Sequence, residues 1–323
     1  MPRQPLIIIN PSAAKVHRLW PIIRTKLEES KLQYDFYETK SPGDATSRTR
    51  AALKEGTSVI AVVGGDGTLS EAAAGFFEFG TGNGGLPSPV NSQAALAIIP
   101  AGTGDDFARG LTGKRASVES WIEALLAHCR QTDQKRARIV DVMYGACDNY
   151  SSPFICLNAS TMGIGGETAS RVAGQGSFMR RFSGEARFAA AAIRALGAWR
   201  ERRVRVSVDE SGVVDDRMNL VAVANGLYAG GGMMLSPQAR IDDGKLDVIT
   251  ASCFSRARVI RELPRIHRGG HVANPRVRVI QGEQVRIETF SPSDALLIEA
   301  DGNVRGKTPV EFQIMPKALK FIV

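Results

Sequence analysis

No segment of this 323-residue sequence approaches the length of a membrane-spanning helix, which argues against an integral helical membrane protein. Cysteine is scarce: Cys129, Cys147, Cys156 and Cys253 form no Cys-x-x-Cys pair, a pattern that fits reduced thiols better than disulfides or a zinc site. The opening apolar stretch, Leu6 to Ile9, is too short for a signal peptide and is interrupted by Asn10-Pro11. No low-complexity tract or internal repeat appears, so an ordinary globular chain is expected. Acidic residues are lacking in one place. Between Arg171 and Arg205 stand nine arginines (171, 180, 181, 187, 194, 200, 202, 203 and 205) against Glu185 and Glu201, and much of the formal net charge of +8 lies there. Such a concentration suits an anionic surface, although a solvated helix face would look the same.

What is present begins with alternation. The length suits two domains. Apolar runs at Leu6 to Ile9, Tyr34 to Tyr37, Val59 to Val63 and Ala94 to Ile99 read as strands, separated by helical patterns up to about Lys31, from Asp44 to Glu55 and from Leu69 to Phe79. This order predicts a parallel sheet flanked by helices. Gly80 to Ser92 is expected to be a loop, Ser117 to Cys129 an amphipathic helix, and Gln131 to Arg138 a linker. Beyond it lie short β-like runs interrupted by one helix, capped by Ser183 and carrying Phe188, Ala191, Ala195 and Trp199 at helical spacing. The predicted domains are therefore residues 1–137, with 308–323 a candidate to return to them, and a β-rich 138–307.

Two strand ends carry the chemistry. Gly64-Gly65-Asp66-Gly67-Thr68 follows the strand at Val59 to Val63, and a helical pattern resumes at Ser70. Glycines there allow positive φ and close approach of a ligand, so that backbone amides can converge on a phosphate. Asp66 would repel a bare phosphate, which implies an intervening cation or a hydroxyl needing a base. The second turn is Pro100-Ala101-Gly102-Thr103-Gly104-Asp105-Asp106-Phe107-Ala108-Arg109. In open α/β sheets ligands gather at the carboxyl ends of strands, so these two turns and Asn10 to Ser12 are expected to share one cleft.

Together with Asn10-Pro11, these turns resemble the ordered signatures of the diacylglycerol kinase catalytic-domain family, which includes soluble bacterial lipid kinases, sphingosine kinases and ceramide kinases. The similarity continues through Asn158, Gly163-Ile164-Gly165, Asn225-Gly226, Gly230-Gly231-Gly232, Asp242 to Asp247 and Asp301-Gly302, covering nearly the whole chain. It implies a three-layer α/β nucleotide-binding domain of the NAD-kinase type, a C-terminal β-sandwich domain, and ATP with Mg²⁺ in the cleft between them. By position, Asn10 and Thr68 would contact the nucleotide, Gly64, Gly65 and Gly67 would lie under its phosphates, and Gly102, Thr103 and Asp105 would line the same pocket. Asp66 would organise the catalytic Mg²⁺, and Asp301 would act as general base or in the water network beside the metal. Phosphoryl transfer needs these parts: positioning, neutralisation of developing charge, and an acceptor for one proton.

The sequence departs from the family at several positions. Asn303 stands where a Glu usually follows Asp-Gly, Asp105 replaces a frequent Asn, and Glu167 an Asp. Family members can hold a structural Mg²⁺ at the position of Asp243 with an acid three residues earlier, where this chain has Arg240. The expected reaction is transfer of a phosphoryl group to a lipid hydroxyl, diacylglycerol first, with a sphingoid base or ceramide as alternative acceptors. An NAD kinase and a regulator without catalysis remain alternatives, the latter motivated by Asn303. Expected partners are a membrane lipid and an anionic bilayer met by Arg171 to Arg205, with no nucleic acid. A homodimer is left open, and the expected location is cytoplasmic, at the membrane periphery. His267 and His271 have the spacing of a helical metal pair, but the glycines between them favour loop contacts.

Overall fold

A computed structural model describes residues 3–80, 85–113, 116–131, 137–148, 152–175, 184–210 and 212–323. Ser177 to Phe182, with Arg180 and Arg181, and the Ser183 cap lie outside the described residues, as does the Phe188 side chain. Two compact units form, one from Met1–Val142 with Met315–Val323 and the other from Met143–Ile314.

The first unit runs β1 (Leu6–Ile9), α1 (Val16–Glu29), β2 (Asp35–Glu38), α2 (Asp44–Lys54), β3 (Val59–Gly64), α3 (Asp66–Ala74), β4 (Phe77–Glu78), β5 (Ser88–Pro89), β6 (Ala95–Pro100), α4 (Asp106–Thr112) and α5 (Val118–Cys129). Strand β1 pairs in parallel with β2 and β3, and β3 with β6. The chain thus steps from β1 one way to β2 and then back across β1 to β3. Right-handed crossovers moving in opposite directions place their helices on opposite faces, so the order itself generates three layers. Every residue of β1 and β3 is buried. Strands covered on both faces are apolar throughout rather than alternating. Lys320 and Phe321 add a parallel strand beside β6, and Phe321 meets Phe107 edge-on at 5.1 Å.

Two expectations shift here. Helix α3 starts at Asp66 rather than Ser70 and stops at Ala74 rather than Phe79. Its end is set by Gly75, where a Cβ would lie 2.6 Å from the Thr49 Cβ of α2. Phe77 and Glu78 then pair with Ser88 and Pro89, putting a small hairpin in the expected loop.

In the second unit, β7 (Ala137–Cys147) enters and pairs with β8 (Phe154–Cys156). There follow β9 (Ala159–Gly163), α6 (Ile164–Ala173), α7 (Gly184–Ala198), β10 (Arg202–Val208), β11 (Gly212–Ala224), β12 (Tyr228–Ala229), β13 (Met233–Met234), β14 (Leu246–Ser252), α8 (Arg256–Ile266), β15 (Val277–Gly282), β16 (Gln284–Thr289), β17 (Leu297–Ala300), β18 (Asn303–Lys307) and β19 (Val310–Ile322). The central strand is β11. Its first half pairs with β10, and its second half lies between β9 and β14. Alternate residues serve two cores: Val221 and Val223 join Val204, Val248, Ile287 and Phe312, while Ala222 and Ala224 join Ile249, Leu235 and Phe254 beneath Val259 of α8. That period of two is the pleat of a strand buried on both faces. Helices α6 and α8 join the one expected helix.

Candidate active site

In the first unit the strand order changes direction between β1 and β3, the place where open α/β sheets bind ligands. The loops leaving β1, β3 and β6 are laced together there. The Asn10 amide donates to the Val63 carbonyl (3.1 Å), and the Ala101 amide to the Gly64 carbonyl (2.8 Å). Asn10 Nδ2 donates to Thr68 Oγ1 at 2.8 Å, and Asn10 Oδ1 accepts the Ser12 amide at 3.0 Å. Asp105, buried at the left-handed φ of 53°, accepts the Gly102 amide (2.9 Å) with one oxygen and Lys15 Nζ (3.1 Å) with the other. Thr103 is exposed at the tip of this turn.

The positive φ expected of these glycines is absent at residues 64, 65 and 102. Gly65 has φ −105°, and neither Gly64 nor Gly102 lies in the left-handed region. A Cβ on Gly65 would lie 3.1 Å from the Gly102 Cα, and one on Gly102 would lie 2.6 Å from the Gly65 Cα. The two turns therefore touch backbone to backbone. At Gly64 an added Cβ would press on Thr68, 3.0 Å from its Cβ. Gly67 falls in the first turn of α3.

Asp66 joins the same two turns by hydrogen bonds. One oxygen accepts the Asp106 amide and the other the Phe107 amide, both at 3.0 Å, so its carboxylate caps α4. Burial, and next the nearby Asp106 carboxylate, raise its pKa to about 7. The two amides oppose that rise. Asn10, Gly64 to Thr68 and Gly102 to Asp105 thus form one continuous wall within this unit, with Lys15 added to them.

In the second unit Asp301-Gly302 forms the tight turn between β17 and β18, with Ala300 paired to Asn303 and φ values of 46° and 85°. Two positive φ angles mark the type I′ hairpin that Asp-Gly favours. The Asp301 carboxylate is buried and accepts three main-chain amides: Leu157 (2.7 Å) on Oδ2, Asn158 (3.0 Å) and Ala159 (3.3 Å) on Oδ1. Around them, the Asn225 and Gly226 amides both donate to the Asn158 carbonyl at 2.8 Å, and Asn225 Nδ2 donates to the Leu157 carbonyl at 2.8 Å. Of the roughly four lone-pair positions of a carboxylate, three are taken by these amides, and the buried Cys156 thiol also bonds Asp301. Its first task is to hold this strand end.

Glu299, which the sequence reading passed over, lies beside this turn. Its carboxylate accepts the Gly302 amide and the Thr161 hydroxyl, each at 2.6 Å. Burial raises its pKa to about 7, with the Asp301 charge adding to the rise and the two hydrogen bonds opposing it. A signal was available: one acid in the apolar strand Leu296-Leu297-Ile298-Glu299-Ala300, just before Asp-Gly.

Asp243 has a local role, its Oδ1 accepting the Lys245 amide at 3.1 Å, and Arg240 lies 3.7 Å from Asp242. Among the described residues no group of three or more His, Cys, Asp and Glu side chains could hold a metal. The described arginines of the basic stretch are largely engaged. Arg203 and Arg205 bond Asp215 (2.7 and 3.4 Å) and lie over Phe290, Arg200 bonds Asp294 (2.8 Å), and Arg171 and Arg202 flank Glu167 (3.6 and 3.8 Å). His271 is buried with Nε2 at 3.0 Å from the Leu235 carbonyl, and the chain between it and His267 turns through Gly269 at φ 71°.

A parallel α/β unit with a glycine-built wall at its switch point is joined in sequence to a β-sandwich-like unit. Residues 4–142 match the family model described as the diacylglycerol kinase catalytic domain, and residues 162–323 that of the YegS C-terminal NAD kinase beta sandwich-like domain. The chain belongs to the family these two domains define and is by class a lipid kinase. It is 28% identical over 287 residues to a diacylglycerol kinase of Mycobacterium tuberculosis, covering 86% of this chain and 81% of that protein. With a diacylglycerol kinase of Staphylococcus carnosus it shares 26% over 317 residues, covering 97% and 92%. A crystal structure of a diacylglycerol kinase from Bacillus anthracis str. Sterne has the same fold, with a TM-score of 0.68 at 21% identity over 99% of this chain and 96% of that one.

Proposed function

We propose that the protein transfers the γ-phosphoryl group of ATP to a hydroxyl of a membrane lipid, with diacylglycerol as acceptor and phosphatidic acid as product. The observation that carries this reading is the wall at the β1/β3 switch point, where Asn10, Thr68 and two mutually packed glycine turns occupy the place that open α/β sheets reserve for ligands. Its composition fits a nucleotide carrying Mg²⁺, which takes one or two carboxylates plus phosphate oxygens and waters rather than a protein cage. Asp66 would be that carboxylate, its orientation fixed by the two α4 amides. Bound there, Mg²⁺ would supply neutralisation of the charge developing on the transferring group.

For the proton of the lipid hydroxyl we assign Glu299, and we assign Asp301 as the residue that positions it. A general base works best with a pKa near the working pH, and Glu299 is raised to about 7. Asp301 anchors the turn whose Gly302 amide holds Glu299. This division answers the missing Glu at Asn303: a carboxylate reaches the turn from the strand before it instead of the strand after.

Incubation of the protein with radiolabelled ATP and, separately, diacylglycerol, ceramide, sphingosine and NAD tests the reading. Label in phosphatidic acid is expected. Label in NAD would overturn the lipid assignment, and label in ceramide or sphingosine would move the acceptor. Nucleotide binding with no transfer to any acceptor would make the protein a regulator.

A further inference from the structure

Helix α8 is built against the usual rule for a surface helix. Its inward residues are Val259, Glu262 and Ile266, so a carboxylate lies on the buried side. Ala257, Ile260 and Pro264 lie toward the outward side and Leu263 on the flank between them and Val259, and all four are exposed, Ile260 at 57% and Leu263 at 38%. An apolar face turned outward on an arginine-rich helix is the composition of helices that lie in a membrane interface. One flank of α8 opens into a groove of about 400 Å³ lined by Arg258, Arg261, Arg265, Arg276, Glu262 and Asn274. Glu262 Oε1 accepts Asn274 Nδ2 (2.9 Å) and Arg265 (3.3 Å), and Arg276 donates to the Cys253 carbonyl. The Arg258 and Arg261 side chains have no partner among the described residues. Four guanidinium groups against one carboxylate leave three positive charges in the groove. Arginine's planar fork matches phosphate oxygens in pairs.

We propose that α8 docks the protein onto an anionic phospholipid surface, its outward apolar residues entering the interface and the arginine groove receiving a lipid phosphate. A dissolved phosphate would use the groove but leave the apolar face without purpose; a lipid headgroup uses both. This docking surface rests on Arg258 and Arg261, whereas Arg171, Arg200, Arg202, Arg203 and Arg205 of the Arg171 to Arg205 stretch already have acidic or aromatic neighbours, and Arg180 and Arg181 lie outside the described residues. Docking here is independent of the kinase assignment, since no α8 residue belongs to the wall or to the Glu299 turn.

Co-sedimentation of the full chain with phosphatidylglycerol and with phosphatidylcholine vesicles tests it. Binding to the first only, weakened by salt, is expected. Removing two interfacial arginines in the Arg258→Ala/Arg261→Ala variant should lower partitioning on the order of 30-fold. Ile260→Ser should also lower it, while Arg203→Ala/Arg205→Ala should leave it unchanged, with circular dichroism reporting that each variant is folded. Equal binding to both vesicles, no vesicle binding, wild-type partitioning of the Arg258/Arg261 variant, or loss only in the Arg203/Arg205 variant would each overturn the proposal. So would stabilisation by inorganic phosphate, lost in the Arg258/Arg261 variant, without vesicle binding. Transfer to detergent-dispersed diacylglycerol should persist in the Arg258/Arg261 variant, which separates failure to dock from failure of the kinase reading.

Discussion

Asp66-Gly67 and Asp301-Gly302 are the same dipeptide folded in two ways. The first starts a right-handed helix, and the second makes a hairpin with both φ angles positive. In both, the aspartate holds main-chain amides of a neighbouring segment: two at the start of α4, three at the start of β9. They differ in which carboxylate is poised near neutrality. At the first turn it is Asp66 itself; at the second it is Glu299. In the proposed assignment the second turn separates tether from proton acceptor, whereas the first combines tether and charge in one side chain.

The strongest way to break this contrast is Glu299→Gln. As the proton acceptor, Glu299 must be ionised, so wild-type turnover should rise with pH through about 7. The Gln variant should lose roughly 10²- to 10⁴-fold in kcat and lose that limb. A variant with the wild-type pH profile would return the base to Asp301. The same pKa carries a stability consequence. Raised from 4.5 to about 7, the carboxyl binds its proton more tightly folded than unfolded, so its contribution is full below 4.5 and is lost as pH rises through about 7. Thermal melts of Glu299→Gln should be flatter across that window.

Asp301→Ala comes next. It leaves three buried amides without their acceptor and should destabilise by about 3 kcal/mol or more, read from urea midpoints. Turnover lost with stability intact would instead make Asp301 directly catalytic. Asp66→Asn sets an amide donor against a backbone donor and should cost about 2 kcal/mol by the same assay. The smallest effect sharpens the backbone side of the contrast. Gly302→Ala, at φ 85° with open space around it, should cost about 1 kcal/mol and leave kcat near normal.

Much of this arrangement was legible in the sequence because its signals are local. Continuous apolar runs mark β1, β3 and β6, and glycine with Asp marks the turns that follow β3 and β6. Helices α6 and α8 were hidden for reasons visible in the structure. The first opens on Ile164-Gly165-Gly166, where Gly165 and Gly166 fit against Thr161 Oγ1 and the Leu297 carbonyl at 2.5 and 2.2 Å from an added Cβ, a tertiary demand that no helical pattern announces. The second carries Pro264 and an outward apolar face, which blurs the expected periodicity. Glu299 lies outside the Asp-Gly motif, and the pleat brings it to the turn from two residues before Asp301. The glycines at residues 64 to 67 and 102 were recognised, but two of them, Gly65 and Gly102, make room for each other, and that is a fact of pairing at a distance.

That mutual contact closes off a route of change. When a side chain grows into a crowded site, a lineage can commonly recover by shrinking its neighbour. At Gly65 and Gly102 neither neighbour has anything left to remove, so a methyl group gained at either position has no second-site remedy within the pair. The loops after β3 and β6, thirty-odd residues apart in the chain, are therefore sterically one unit, and a graft that added a side chain at either glycine would have to rebuild both turns.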